Sequence, residues 1–145
     1  MPNKFARRPD GKTSSIIVDE VVTFNYDILG NKTDNVIYIA NCPMEVTEIV
    51  CMPTVAGSDG SAVSAEVKKA SGTTATGSGT AIQSAVFDLK GTAYTVQTAT
   101  LAAAKATREL ASGDRLGVDF SGTLTAAEGF IQVRLKRIQG AGSEK

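Results

Sequence analysis

The sequence predicts an all-β fold, a sandwich or barrel of about eight strands with little helix. Short β-branched and aromatic runs recur along the chain, Gly/Asp/Asn/Ser turns divide them, and several runs alternate apolar and polar residues with period two. At 145 residues the chain fits one domain with one sizeable core.

Residues 1–14 read as an arm: Pro2, Pro9 and Gly11 break regular structure and nothing there is periodic. Strand character begins with Ile16, Ile17 and Val18 and continues through Val21, Val22 and Phe24. Turn signals follow at Gly30-Asn31 and Asp34-Asn35. The apolar run 36–40 suits a strand buried on both faces. Residues 45–55 alternate imperfectly, and Pro53 suggests an edge or a bulge. The turn Gly57-Ser58-Asp59-Gly60 leads into a clean alternation, with Val63, Ala65 and Val67 on one face and Ser64, Glu66 and Lys68 on the other.

Residues 71–80 contain just Gly, Ser, Thr and Ala and read as a solvent-facing surface loop. Residues 81–89 are ambiguous: Ile82, Ala85, Val86 and Leu89 fit a helical stripe of about two turns that Gly91 would end. Residues 93–101 read as a Thr-rich strand. The alanines of 102–110 favour a helix, or else a strand end with a long turn. The clearest strands close the chain. Leu116, Val118 and Phe120 share one face, and so do Ile131, Val133 and Leu135, opposite a basic stripe of Arg134 and Lys136. The length and strand count suit a jelly roll. The domain is expected over 15–138, with a flexible tail at 139–145.

Composition narrows the chemistry. Histidine is absent, which removes the commonest general base and metal ligand, and tryptophan is absent too. Cys42 and Cys51 match no zinc spacing and read as small, reduced hydrophobes, with a disulfide as the minor alternative. Asp19 and Glu20 are adjacent on a strand and point to opposite faces, so they cannot act as a pair. Asp114 reads as a turn residue. Two carboxylates from distant loops, or a Ser–Lys arrangement, remain the open routes to a hydrolase. Gly77 and Gly79 form a GxG without the strand–helix context of a phosphate loop. No catalytic, cofactor-binding or metal-binding residue is predicted.

Net charge is zero but unevenly placed. Lys4, Arg7, Arg8 and Lys12 oppose Asp10 at the N-terminus, and Arg134, Lys136, Arg137 and Lys145 oppose Glu144 at the other end, so each end carries +3 and residues 15–133 carry −6. Basic ends can steer the chain to an acidic surface. Nucleic acid is disfavoured, because aromatics do not interleave with the basic residues apart from Phe5 and the acidic body opposes binding. No apolar run approaches the roughly 18 residues of a membrane span, and the polar start lacks the apolar stretch of a secretory signal, so synthesis in the cytoplasm is expected.

Three phrases carry a resemblance: AGSDGSAVSAEVKKASGTTATGSGT at 56–80, FDLKGTAYTVQTATL at 87–101, and LASGDRLGVDFSGTLT at 110–125 followed by GFIQVRLKRI at 129–138. Over roughly 36–138 the chain resembles the jelly-roll capsid decoration (cement) proteins of tailed phages, and related head-fibre and spike bases. The resemblance implies a non-enzymatic homotrimer on the outer capsid surface, bound to the major capsid protein at three-fold and quasi-three-fold positions, with no cofactor. A receptor- or glycan-binding head-fibre or tail domain of the same fold is the alternative. The N-terminal arm lies outside the match. From its charge, Lys4, Phe5, Arg7, Arg8 and Lys12 are expected to dock on the capsid.

Overall fold

A computed structural model describes residues 19–27 and 35–138. The expected arm, the segment 15–18, the turn at Gly30-Asn31 and the tail 139–145 lie outside these residues.

Among the described residues the strands are β1 (Asp19–Tyr26), β2 (Asn35–Ile39), β3 (Met44–Val55), β4 (Ser64–Ala70), β5 (Thr80–Ala81), β6 (Phe87–Asp88), β7 (Gln97–Thr98), β8 (Glu109–Leu110), β9 (Arg115–Ser121) and β10 (Glu128–Arg137). One sheet runs β1-β10-β3, with β7 and β8 sharing the far edge of β3. The other runs β2-β9-β4, with β5 and β6 sharing the far edge of β4. Every pairing is antiparallel.

The pairings nest. The first strand pairs with the last, β2 with β9, β3 with β7 and β8, and β4 with β5 and β6. That is one long antiparallel ribbon rolled into two facing sheets, the winding of a jelly roll. Counting each split strand once gives eight strand positions, as the sequence predicts.

Alternation places the core. Val46, Ile49, Cys51, Ile131, Val133 and Leu135 point inward from the first sheet, and Ala65, Val67, Leu116, Val118 and Phe120 from the second; all are buried. Each large aliphatic side chain so buried contributes about 1.5–3 kcal/mol. Phe120 bridges the sheets, its ring centroid 6.2 Å from Phe24 and 5.8 Å from Tyr26. Cys51 is a buried free thiol within this core, and Cys42 is a partly buried one.

The imperfect alternation of β3 has a structural cause. Its register against β10 shifts twice, once beside Thr47 and once beside Thr54, so an extra residue enters each time. Pro53 sits next to the second shift, opposite Gly129 and beyond the stretch that β7 pairs.

Three expectations change, and for 102–110 both stated readings are met in part. The run 36–40 is not buried on both faces: β2 is an edge strand, and Val36 and Ile39 are exposed. Residues 81–89 form no helix. Ile82, Gln83, Phe87 and Leu89 are buried, whereas Ala85 and Val86 are exposed, because the backbone bulges between β5 and β6. The strand expected over 93–101 shrinks to β7 and a bridge at Leu101. In the alanine-rich run, one helical turn (α1, Lys105–Arg108) forms. It ends because Glu109 and Leu110 pair with Glu45 and Met44, so sheet pairing overrides helix propensity. Lys69 reaches across from β4 to donate to the Ala106 and Glu109 carbonyls at the end of that turn.

Candidate functional site

The predicted docking residues Lys4, Phe5, Arg7, Arg8 and Lys12 lie outside the described residues. The described part of the basic C-terminal end is interleaved with acids rather than being a bare cationic stripe. Arg134 Nε lies 3.6 Å from Glu48, and Lys136 sits in the ladder between Asp19 and Glu45. Arg134 and Lys136 therefore each have an acidic neighbour on the adjacent strands.

On the outer face of the second sheet, Lys68 is held by three acceptors: Asp119 at 2.6 Å, the Gly77 carbonyl at 2.9 Å and Glu66 at 3.4 Å. The ion pair with Asp119 raises the Lys68 pKa above its ordinary value, outweighing burial, which lowers it. The Gly/Ser/Thr segment faces solvent over most of its length, as expected, and Thr76 seats it on this face. Thr76 is 3% exposed and packs on Gly117, where a Cβ would come within 2.5 Å of both Thr76 Cβ and the Asn35 carbonyl. Arg115 donates to the Gly72 and Thr74 carbonyls. Gly79 is required by contact rather than by a ligand, since a Cβ there would strike the Lys69 carbonyl. The GxG is thus a packing feature.

The expected carboxylate roles resolve simply. Asp19 is exposed, while the half-buried Glu20 accepts from Tyr38 Oη at 2.9 Å. Asp114 accepts from the Ala111 amide at 2.8 Å, closing a turn.

A cleft of about 310 Å³ opens at one end of the first sheet, lined by Asn25, Tyr26, Asp27, Thr54, Glu128, Gly129 and Phe130. Sequence reasoning missed it, because Asp27 and Glu128 lie about a hundred residues apart and become neighbours through the β1–β10 register. The two carboxylates are exposed, and among the described residues no lysine, arginine or cysteine lines the cleft with them. Tyr26 closes its floor: burial raises its phenol pKa, and its hydroxyl lies over Gly129. The cleft offers hydrogen-bonding groups beside two aromatic residues, the buried Tyr26 and the half-buried Phe130. Among the described residues, no three His, Cys, Asp or Glu side chains gather to hold a metal ion.

The two edges of the sandwich differ. At one, backbone bonds join the sheets: Ser84 N–H donates to the Thr100 carbonyl at 2.9 Å and Ala102 N–H to the Ile82 carbonyl at 2.7 Å. At the other, β1 and β2 lie side by side, tied among the described residues by the Tyr38–Glu20 bond. Exposed apolar side chains flank both edges. Val21, Val36 and Ile39 flank the β1–β2 edge; Val86, Tyr94 and Val96 cluster at the stitched edge, around a double hydrogen bond between Gln97 and the Asp88 backbone. Tyr94 is 73% exposed on a backbone with φ of 62°, a conformation that costs a bulky residue energy and often marks a functional position.

No protein-family model, curated protein or solved structure matches the chain.

Proposed function

We propose that the protein is a structural component of a phage virion, binding the outside of the capsid as a trimer at three-fold and quasi-three-fold positions and stabilising the shell. The observation that carries this reading is the placement of exposed apolar side chains: they line two sandwich edges, a pattern suited to contacts between proteins rather than to chemistry in a pocket. The jelly-roll winding and the resemblance over 36–138 support it.

The mechanism is multivalency. A trimer at a three-fold point touches several copies of the major capsid protein, and linked weak contacts bind with high effective concentration. Binding the assembled shell in preference to its dissociated subunits stabilises the shell by mass action. In this reading the arm docks through Lys4, Arg7, Arg8 and Lys12, with Phe5 as an apolar anchor. No catalytic step, cofactor or nucleic acid enters it. Among the described residues, no helix is long and apolar enough to cross a membrane.

Deleting residues 1–13 and measuring binding to shells at several salt concentrations tests the arm. Weaker binding with a flatter salt dependence is expected. Unchanged affinity and salt dependence would remove the arm from the mechanism.

A second reading, a glycan- or receptor-binding head-fibre or tail domain, is favoured by the cleft, where Phe130 stands beside Asn25, Asp27, Thr54 and Glu128. A glycan array with the intact chain and with Phe130→Ala tests it. Saturable binding abolished by the substitution supports this reading over the first.

A further inference from the structure

Resting on the glycan-binding reading, we infer that the cleft is one end of a longer site on the outer face of the first sheet. The site takes a neutral oligosaccharide of two or more rings. Phe130 and Tyr94 are its two stacking platforms, and Asp27 and Glu128 turn acidic sugars away. The inference is independent of shell binding.

Strand register joins the two aromatics by an apolar row. Cys51 and Ile131 point into the core, so their neighbours Met52 and Phe130 point outward, and those two are register partners. Cys51 also pairs with Gln97, which sets Val96 next to Met52 on the far side of β3, where Val96 is 57% exposed. Tyr94 precedes Val96 by two residues. Its amide donates to the Pro53 carbonyl at 2.7 Å, and Pro53 pairs with Gly129, which lines the cleft. Phe130 on β10 and Tyr94 beyond β3 thus stand two strand spacings apart, roughly 10 Å, which is more than one sugar ring covers. Tyr94 is held out on its left-handed backbone, so the second platform is fixed before any ligand arrives.

The lining selects the ligand. The carboxylates of Asp27 and Glu128 accept hydrogen bonds, and the side chains of Asn25 and Thr54 both donate and accept. Among the described residues no cation lines the cleft, so a carboxylate, sulfate or phosphate on a sugar meets like charge without a counter-ion. Sugar hydroxyls supply donors to the carboxylates, while the C–H face of the ring lies on aromatic carbon. An extended peptide is poorly served on this face. Here β10 is flanked by β1 and β3, and β3 by β10 and β7, so neither central strand has a free edge to which a peptide strand could be added.

The test is an array that prints neutral oligosaccharides beside their uronic-acid- or sialic-acid-bearing and amino-sugar counterparts, probed with the intact chain. Calorimetry then follows the disaccharide and tetrasaccharide of the best neutral series. Neutral hits are expected, with the tetrasaccharide bound about fivefold more tightly than the disaccharide. Tyr94→Asn, which suits the left-handed backbone, should erase that gain and leave disaccharide binding unchanged. The double variant Asp27→Asn, Glu128→Gln should admit the acidic counterparts. All the substituted positions are exposed, and thermal unfolding checks that each variant folds. Hits confined to acidic or amino sugars, a gain that survives Tyr94→Asn, or a double variant that still rejects acidic sugars would overturn the inference while leaving the glycan reading standing. An intact chain that binds no saccharide would overturn both.

Discussion

Gln83 Oε1 accepts the amide hydrogen of Val67 at 2.9 Å, so a side chain takes the place of a backbone rung where β5 and β6 part. Its Nε2 donates to the Ala85 carbonyl at 2.7 Å, which shapes the bulge. The side chain is 4% exposed, so water cannot readily replace either bond.

Gln83→Leu therefore leaves a buried Val67 amide without an acceptor. A loss of about 1–3 kcal/mol is expected. Urea unfolding with an unchanged denaturant slope would register it, and a loss under a few tenths would contradict the assigned role.

The contact between Thr76 and Gly117 seats the segment 71–80. Gly117→Ala is expected to lose about 1–3 kcal/mol, since the added methyl meets a carbonyl and a packed side chain. The buried Thr76 hydroxyl has no hydrogen-bond partner among the described residues. Thr76→Val is thus expected to hold or raise stability, by up to about 1 kcal/mol. Thermal melts should fall for Gly117→Ala and hold or rise for Thr76→Val.

Lys68→Met removes the cation between Asp119 and Glu66, which are register neighbours across β4 and β9. The side chains of Lys68 and Asp119 are 16% and 21% exposed, so partial wetting limits the loss to about 1–2 kcal/mol at neutral pH. Because folding raises the Lys68 pKa above 10.5, its contribution is complete below that value and fades as pH climbs through the folded-state pKa. The gap between wild type and Lys68→Met should narrow above pH 10.5. Tyr38, pushed up to about 12 from 10.0 by burial and then by its bond to Glu20, weakens both proteins over that interval and cancels in the comparison. A gap that widens with pH would contradict the pairing.

Burial pushes the Cys51 thiol up to about 12, so at pH 8 it is protonated and shielded. A thiol reagent should label Cys42 readily and Cys51 at the rate of unfolding, with denaturant bringing the two together. Equal labelling in the native state would show that the sheets open locally at β3.

Strands with strict alternation were legible in the sequence, because a pleat with one dry face imposes period two. The inward faces of β4, β9 and β10 are those expected from Val67, Leu116, Val118, Ile131 and Leu135. Position within a sheet was not legible. Val36 and Ile39 look like core residues from sequence, and their exposure follows from strand order. Nor was the segment 81–89, where Gln83 supplies from its side chain what sequence patterns assume the backbone provides. The cleft depends on register between β1 and β10, and Tyr94 stands out through its backbone angle; neither leaves a trace in local composition. The five predicted arm residues lie outside the described structure, so their docking role rests on charge.

The central claim is that this chain works by joining an assembly. In the proposed reading the partner is an expanded phage shell, so light scattering with and without such shells tests it most directly. The account predicts a free mass of three chains and saturable uptake onto shells. A single-chain mass with no uptake at any concentration would contradict it.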